Sequence, residues 1–139
     1  MAVANYLVDK SALARLRREN VAAVLDPLVD AGLTAVCGMV LLESLFSSRD
    51  RADFERVCAD MRAHEWLHSE DDDYMRVVDV QAALATKGCL RGVSLPDLLI
   101  AAVAERHRVT VMHYDSDFEL IAEVTGQPTQ WVVPRGSVA

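Results

Sequence analysis

Short apolar runs alternate along this chain with longer segments of helical periodicity. Residues 6–8 form an apolar run that predicts a strand, and residues 11–18 favour a helix directly after it. Further short apolar runs predict strands at residues 33–36, 109–112 and 131–133. Because predicted strands alternate with predicted helices, we expect a three-layer α/β/α sandwich built on a mostly parallel central sheet.

The remaining segments have the spacing of helices. Apolar side chains recur at intervals of three and four in several of them, whereas residues 98–104 are apolar all round and are expected to be buried. Ser94 and Pro96 are residue types that begin such a helix. The predicted helices cover residues 21–31, 39–47, 51–61, 74–87, 94–104 and 118–124.

The length of 139 residues suits one domain, so we expect residues 1–139 to share a single core. The longest apolar stretch is far shorter than the roughly 20 residues of a membrane span, and no basic segment followed by an apolar run begins the sequence. We therefore expect a soluble, cytoplasmic protein. The three cysteines are far apart and form no Cys-x-x-Cys pair, which argues against disulfides and thiolate zinc sites.

Acidic residues occur where apolar strands end and near the first turns of helices. Asp97 and Asp117 each have a local explanation, because each lies in the pattern of a helix capping box. Glu43 has none, since leucines and a phenylalanine surround it within a predicted helix. In a parallel sheet Asp9, Asp97 and Asp115 are expected to meet near one edge.

A cluster of these carboxylates requires a neutralising cation. Two carboxylates about 5 Å apart repel each other by roughly 3 kcal/mol at an effective dielectric constant near 20. Oxygen-only ligands favour Mg²⁺, with Mn²⁺ as the alternative, over Zn²⁺. An ion of this kind activates water and stabilises the negative charge that develops on a phosphodiester. The acidic residues therefore indicate a nuclease.

The net charge of −7 argues against a protein that holds nucleic acid through its overall field. Local contacts between arginines and phosphates are compatible with that charge. Six arginines are candidates for such contacts, or for an ordinary solvated helix face, and the sequence favours neither. They are Arg15, Arg17, Arg18, Arg91, Arg106 and Arg108.

The acidic residues lie in motifs that resemble those of the PIN-domain ribonucleases. Residues 7–13, Leu-Val-Asp-Lys-Ser-Ala-Leu, resemble the first motif, in which an apolar strand precedes Asp-x-Ser. Glu43 lies where that family has a helical glutamate, residues 94–102 resemble the third motif, and residues 113–118 resemble the last. The order and spacing agree over nearly the whole chain, and the resemblance is closest to the VapC toxins of bacterial toxin–antitoxin pairs.

This resemblance implies a Mg²⁺-dependent endoribonuclease toxin, usually a homodimer, that a VapB-like antitoxin holds inactive by covering the acidic site. It also implies roles for individual residues. Asp117 would support the metal, and Ser11 would hydrogen-bond near the first of the metal-binding acids. Those catalytic, metal-binding acids would be Asp9, Glu43, Asp97 and Asp115.

One position departs from the family pattern. Many relatives have a threonine two residues before the last metal-binding acid, and this chain has His113 there. We expect a structural histidine, because imidazole packs and hydrogen-bonds readily, with a contact to RNA as the alternative.

The pentapeptide at residues 64–68, His-Glu-Trp-Leu-His, matches a zinc metalloprotease pattern. In that pattern two imidazoles one helical turn apart bind zinc and the glutamate is the base. The extended motif requires glycine and then histidine further on, but Asp71 and Tyr74 stand at those positions. A third ligand is also missing, since no Glu occurs between Glu70 and Glu105. We interpret the pentapeptide as a chance match.

Three other functions fit the sequence less well. A phosphatase with an Asp-x-Asp pair would carry it after the first strand, where this chain has Asp-Lys-Ser. A receiver domain requires an aspartate after a middle strand, where this chain has Cys37 and Gly38. A catalytically silent PIN-like module that binds RNA or protein is the main alternative, and retention of every acid argues against it.

Overall fold

A five-stranded parallel sheet forms the centre of the computed structural model, which describes residues 3–139. Met1 and Ala2, at the start of the predicted domain, lie outside the described residues. Neighbouring strands pair in the order β3-β2-β1-β4-β5, and all pairs are parallel, which confirms the expected sheet. The strands are β1 Tyr6–Val8, β2 Thr34–Cys37, β3 Glu65–Leu67, β4 Thr110–His113 and β5 Thr129–Trp131.

Helices connect the strands in the alternating pattern that the sequence predicts. The first predicted helix is shorter than expected, because the chain turns after Leu13 and a new helix begins after Arg18. Within residues 3–139, every helix is too short or too polar to cross a bilayer. The helices are α1 Lys10–Leu13, α2 Glu19–Asp30, α3 Gly38–Phe46, α4 Arg51–Met61, α5 Asp71–Thr86, α6 Leu95–His107 and α7 Asp117–Thr125.

The two faces of the sheet are covered by different helices. Successive strand residues point to opposite faces, so Leu7 of β1 packs in a core with α5, α6 and α7, whereas Val8 packs with α1 and α2. Residues 98–104 of α6 are buried as predicted, and α6 contacts α5, α7 and β4. The chain therefore has the expected three layers of helix, sheet and helix.

The third strand is not predicted by the pattern of apolar residues. In β3 only Leu67 is buried, so its three residues lack the buried apolar run that marks β1, β2 and β4, and the strand is recognised by its pairing with β2. The last strand also differs from the predicted residues 131–133, because β5 comprises Thr129–Trp131 and the buried Val132 and Val133 follow its end. The pentapeptide at residues 64–68 lies across β3 and not on a helix. At about 3.3 Å per residue, its two histidines are roughly 13 Å apart along the chain, too far to share a zinc ion. His64 instead pairs through Nδ1 with the Thr34 hydroxyl at 2.8 Å.

The strand order determines which edge of the sheet can hold a site. From β1 the chain continues to β2 on one side, while β4 lies against the other side of β1. Ligands bind at such a switch point, beyond the carboxyl ends of the strands. Asp9 follows β1 and Asp115 follows β4 at that edge. Because α6 leads into β4, its first turn, with Asp97, begins at the same edge.

Candidate metal centre

Asp9 caps the first helix with one carboxylate oxygen and leaves the other free of partners. Its Oδ2 accepts hydrogen bonds from the backbone N–H of Ser11, at 2.9 Å, and from the Ser11 hydroxyl. Its Oδ1 is buried and has no hydrogen-bond partner within residues 3–139. A buried acceptor of this kind is costly unless something binds it. Asp9 therefore has the form of a ligand that its neighbour Ser11 holds in place.

Asp97 lies in the first turn of α6, but it does not complete the predicted capping box. Ser94 accepts from the Asp97 backbone N–H at 3.3 Å, as a cap should. In a capping box the Asp97 carboxylate would accept from the Ser94 backbone N–H. Here the Ser94 backbone N–H donates to Asp117 Oδ2 instead, at 3.0 Å. Asp117 thus performs the capping that the sequence assigned to Asp97. The Asp97 carboxyl group is left to line the pocket at the sheet edge.

The segment after β4 is organised around His113 and Asp115. The second predicted capping box is wrong, because Ser116 makes no side-chain cap and the Asp117 backbone N–H donates to Asp115 Oδ1 at 3.0 Å. His113 Nδ1 accepts from the Asp115 backbone N–H at 3.1 Å. The imidazole is fully buried, with the rings of Phe118 and Trp131 each 5.0 Å away.

The burial and contacts of His113 favour the expected structural role over the alternative of a contact with RNA. Burial lowers the pKa of His113 to about 4, so the ring is neutral at physiological pH. A neutral imidazole that accepts at Nδ1 carries its proton on Nε2. Its acceptor Nδ1 thus holds the backbone that carries Asp115.

The structure brings all five predicted acids together at the sheet edge. Carboxylate oxygens of Asp9, Glu43 and Asp97 all lie within 4.8 Å of one another. A second group with the same spacing comprises Asp97, Asp115 and Asp117, so Asp97 belongs to both. The open pocket above them has a volume of about 280 Å³, which accommodates a hydrated ion together with a phosphate group, since a water occupies roughly 30 Å³.

The acids of the first group hold their protons more tightly than usual. Burial raises the pKa of Asp9, and the hydrogen bonds from Ser11 oppose that rise. Burial also raises the pKa of Asp97, with the charge of Asp9 as the next largest cause. The same two causes raise the pKa of the half-buried Glu43. All three shifts have the same largest cause, burial away from water, and repulsion from neighbouring carboxylates adds to it.

The donor set fits a hard divalent cation. Carboxylate oxygens are the only ligand atoms in both groups of acids, and no cysteine or histidine of residues 3–139 joins them. Such a set suits Mg²⁺ or Mn²⁺, whereas zinc sites usually include imidazole or thiolate. The unpartnered Oδ1 of Asp9 is the clearest sign that the site is built to bind something.

Basic and aromatic residues complete the pocket wall. Lys10, Arg15 and Tyr114 line it beside the acids. Arg15 is one of the six candidate arginines, whereas Tyr114 and Lys10 escaped the sequence analysis although each adjoins a predicted acid. Arg106 is engaged elsewhere, with Asp73. The other four arginines named above are exposed and lie outside the pocket wall.

Comparisons with known proteins agree with this geometry. The PIN domain family model matches residues 6–124. Ribonuclease VapC21 of Mycobacterium tuberculosis H37Rv is 46% identical over 133 residues, covering 95% of this chain and 96% of the relative. Ribonuclease VapC51 of the same strain is 41% identical, covering 96% of each. The chain therefore belongs to the PIN-domain family and, within it, to the VapC ribonucleases.

Solved structures with low sequence identity share the fold. One such structure is VapBC2 from Rickettsia felis, bound to a DNA fragment from its promoter. It aligns with a TM-score of 0.75 at 15% identity, covering 90% of this chain and 96% of that chain. The DNA-bound VapBC structure from Salmonella typhimurium aligns with a TM-score of 0.74 at 16% identity, covering 94% and 100%. The α/β architecture is thus that of VapC proteins.

Proposed function

We propose that this protein is a metal-dependent endoribonuclease, the toxin of a toxin–antitoxin pair. The observation that carries the proposal is the convergence of carboxylate oxygens of Asp9, Glu43 and Asp97 within 4.8 Å of one another. The buried Oδ1 of Asp9, which has no hydrogen-bond partner within residues 3–139, supports it. Membership of the VapC ribonucleases supports RNA as the substrate. We also propose that residues 1–139 act as one domain, because β1 and β5 belong to the same sheet.

The five acids have distinct tasks in this proposal. Asp9, Glu43, Asp97 and Asp115 bind Mg²⁺, or Mn²⁺ in its place, and are the catalytic residues. Asp117 supports them by joining the start of α7 to the start of α6 through the Ser94 N–H. Ser11 orients Asp9 through two hydrogen bonds. When bound, the ion supplies an activated water and stabilises negative charge on the phosphodiester.

The partners follow from the surface around the site and from the relatives. The structural neighbours are complexes of VapB with VapC, which supports a VapB-like antitoxin as partner here. Next to the site acids, Leu42, Phe46 and Leu95 are exposed, and Phe46 is 93% exposed. Apolar surface of this kind indicates a protein contact, and we assign it to the antitoxin.

A homodimer in the cytoplasm, where RNA is available, completes the proposal. Tyr74, Met75 and Val78 on α5 are exposed and supply a further apolar surface for the second subunit. Light scattering of the purified protein tests this part. A monomer at micromolar concentration would contradict it without affecting the nuclease assignment.

The central test is cleavage of RNA by the purified protein. With millimolar Mg²⁺ or Mn²⁺ we expect discrete cuts in single-stranded RNA, which EDTA abolishes and added metal restores. Single-stranded regions are expected to be preferred, because their bases are accessible to side chains. Binding of RNA without cleavage in either metal would favour the catalytically silent module instead.

A further inference from the structure

Arg15 is a cation in the wall of an acidic pocket, yet it forms no ion pair with any Asp or Glu of residues 3–139. Its Nη1 donates to the backbone oxygen of Ser11 at 2.7 Å, and its Nε donates to the backbone oxygen of Ala139 at 3.1 Å. Its Nη2 has no hydrogen-bond partner within the described part of the chain. The guanidinium group therefore has donors to spare beside the carboxylate cluster.

The guanidinium group is also held at a fixed place. It lies over the ring of Tyr114, 4.6 Å from the ring centroid, in a cation–π contact. The Tyr114 backbone N–H donates to the Ser11 hydroxyl at 2.8 Å, and that hydroxyl donates to Asp9. The Tyr114 hydroxyl accepts from the Gly136 backbone N–H at 2.8 Å. Arg15 is thus connected through Ser11 and Tyr114 to the segments that carry Asp9 and Asp115.

Other arginines of the molecule are used differently. Arg106, Arg76 and Arg56 each donate to the carboxylates of neighbouring acids, and those contacts join or brace helices. Lys10 lines the same pocket as Arg15, but its charge acts on Glu43, where it opposes the rise in that pKa. Arg15 is therefore distinguished by two properties together: its contacts hold it beside the acids, and its Nη2 has no hydrogen-bond partner among residues 3–139.

We propose that Arg15 binds a phosphate group of the RNA strand and positions it over the carboxylate cluster. The planar guanidinium group offers paired N–H donors that match two phosphate oxygens. Such a contact orients the backbone and carries no base specificity. The proposal rests on the proposed ribonuclease function and adds to it a residue that positions the substrate.

The test compares Arg15→Gln with Arg62→Gln, which removes the same charge from an exposed position outside the pocket. Cleavage of a single-stranded RNA is measured as kcat and KM over a series of KCl concentrations. We expect Arg15→Gln to raise KM about tenfold, the size of one lost hydrogen bond to a charged group. It should also reduce the slope of log KM against log salt by about 0.7, the contribution of one phosphate contact to a single strand. Arg62→Gln should leave both quantities unchanged.

Two further measurements separate this role from the alternatives. Thermal melting with and without Mg²⁺ should show the same ion-dependent stabilisation in Arg15→Gln as in the wild type. Loss of that stabilisation, or a lower kcat with an unchanged salt slope, would mean that Arg15 supports the fold or the metal site and would overturn the proposal. Arg15→Lys keeps the charge and should recover part of the salt slope. A wild-type protein that does not cleave RNA would refute the ribonuclease function itself, whereas cleavage with identical KM and slope in Arg15→Gln would refute only the role of Arg15.

Discussion

Asp73 and Asp97 are almost equally buried, at 2% and 4% exposed, but their surroundings are opposite. Asp73 in α5 accepts from Arg106 Nε at 2.8 Å, from Arg106 Nη2 at 3.1 Å and from the Glu70 backbone N–H at 2.8 Å. Asp97 has no cationic partner among residues 3–139, and its neighbours are other carboxyl groups, Asp9 and Asp117. The protein neutralises Asp73 with a guanidinium group, whereas Asp97 lies among other carboxyl groups and its raised pKa favours the protonated form when no cation is bound.

The difference shows that a buried aspartate stabilises the fold at one position and forms a candidate metal site at another. A buried carboxylate that is matched by a guanidinium group and backbone N–H groups joins α5 to α6. A buried carboxylate without such partners must hold a proton or bind a cation from outside. The second arrangement costs stability in the absence of metal, and it is the arrangement a metal site requires.

The largest expected effect is on RNA cleavage by Asp97→Asn. This change removes the carboxylate common to both groups of acids, which we propose as a metal ligand, while keeping the shape of the side chain. We expect the cleavage rate to fall more than about a hundredfold, since even residues that only orient metal ligands are worth 10 to 100-fold. Circular dichroism should show an intact fold. Cleavage near the wild-type rate would remove Asp97 from the mechanism.

The next effect is on stability, for Asp73→Ala. This change removes both hydrogen bonds from Arg106 to Asp73 and leaves Arg106 only the more exposed carboxylate of Glu70, 3.4 Å away. Breaking a buried ion pair typically costs 3–5 kcal/mol. Because Arg106 is partly exposed and can turn towards water, we expect about 2–3 kcal/mol in urea unfolding. The folded fraction should still cleave RNA. A loss below about 0.5 kcal/mol, the scatter of ordinary surface changes, would mean that the pair contributes little.

Magnesium should distinguish the two aspartates by its effect on melting. An ion that binds only the folded state stabilises it by about 2.7 kcal/mol at a concentration of 100 times Kd. We expect Mg²⁺ to raise the Tm of the wild type and of Asp73→Ala alike. The rise should be largely absent in Asp97→Asn. Equal shifts in all three proteins would place the ion away from the proposed site.

The smallest effect is on the pH dependence of stability without metal. Burial raises the pKa of Asp97 in the folded protein above its value in the unfolded chain, so the folded state binds more protons between those two values. The stabilising contribution is therefore complete below about pH 4 and is lost as the pH rises through the folded pKa. Between pH 5 and 7 we expect the wild type to lose about 1–2 kcal/mol relative to Asp97→Asn, which cannot titrate. Parallel profiles for the two proteins would contradict the shift.

Local sequence signals were sufficient to predict an element where the residues of one segment determine its structure. The apolar run of β1, its terminal Asp9 and the buried run in α6 predicted elements that the structure confirms. They were insufficient where contacts with another segment determine whether a strand or a hydrogen bond forms. Strand β3 forms because β2 pairs with it, and its own residues show no apolar alternation. Both capping boxes matched the pattern, but the Ser94 N–H donates to Asp117 from another segment, and the Asp117 N–H donates to Asp115 instead of Ser116.

The identity and order of the acidic residues along the chain were readable from the linear sequence, because carboxylates at strand ends and in first helical turns follow local rules. Which of them meet, which oxygen of Asp9 stays without a partner, and why Asp73 is a brace while Asp97 is a candidate ligand were decided only by the tertiary structure. The physical reason is that the charge state and partners of a buried group depend on atoms brought close by folding, often far away along the chain.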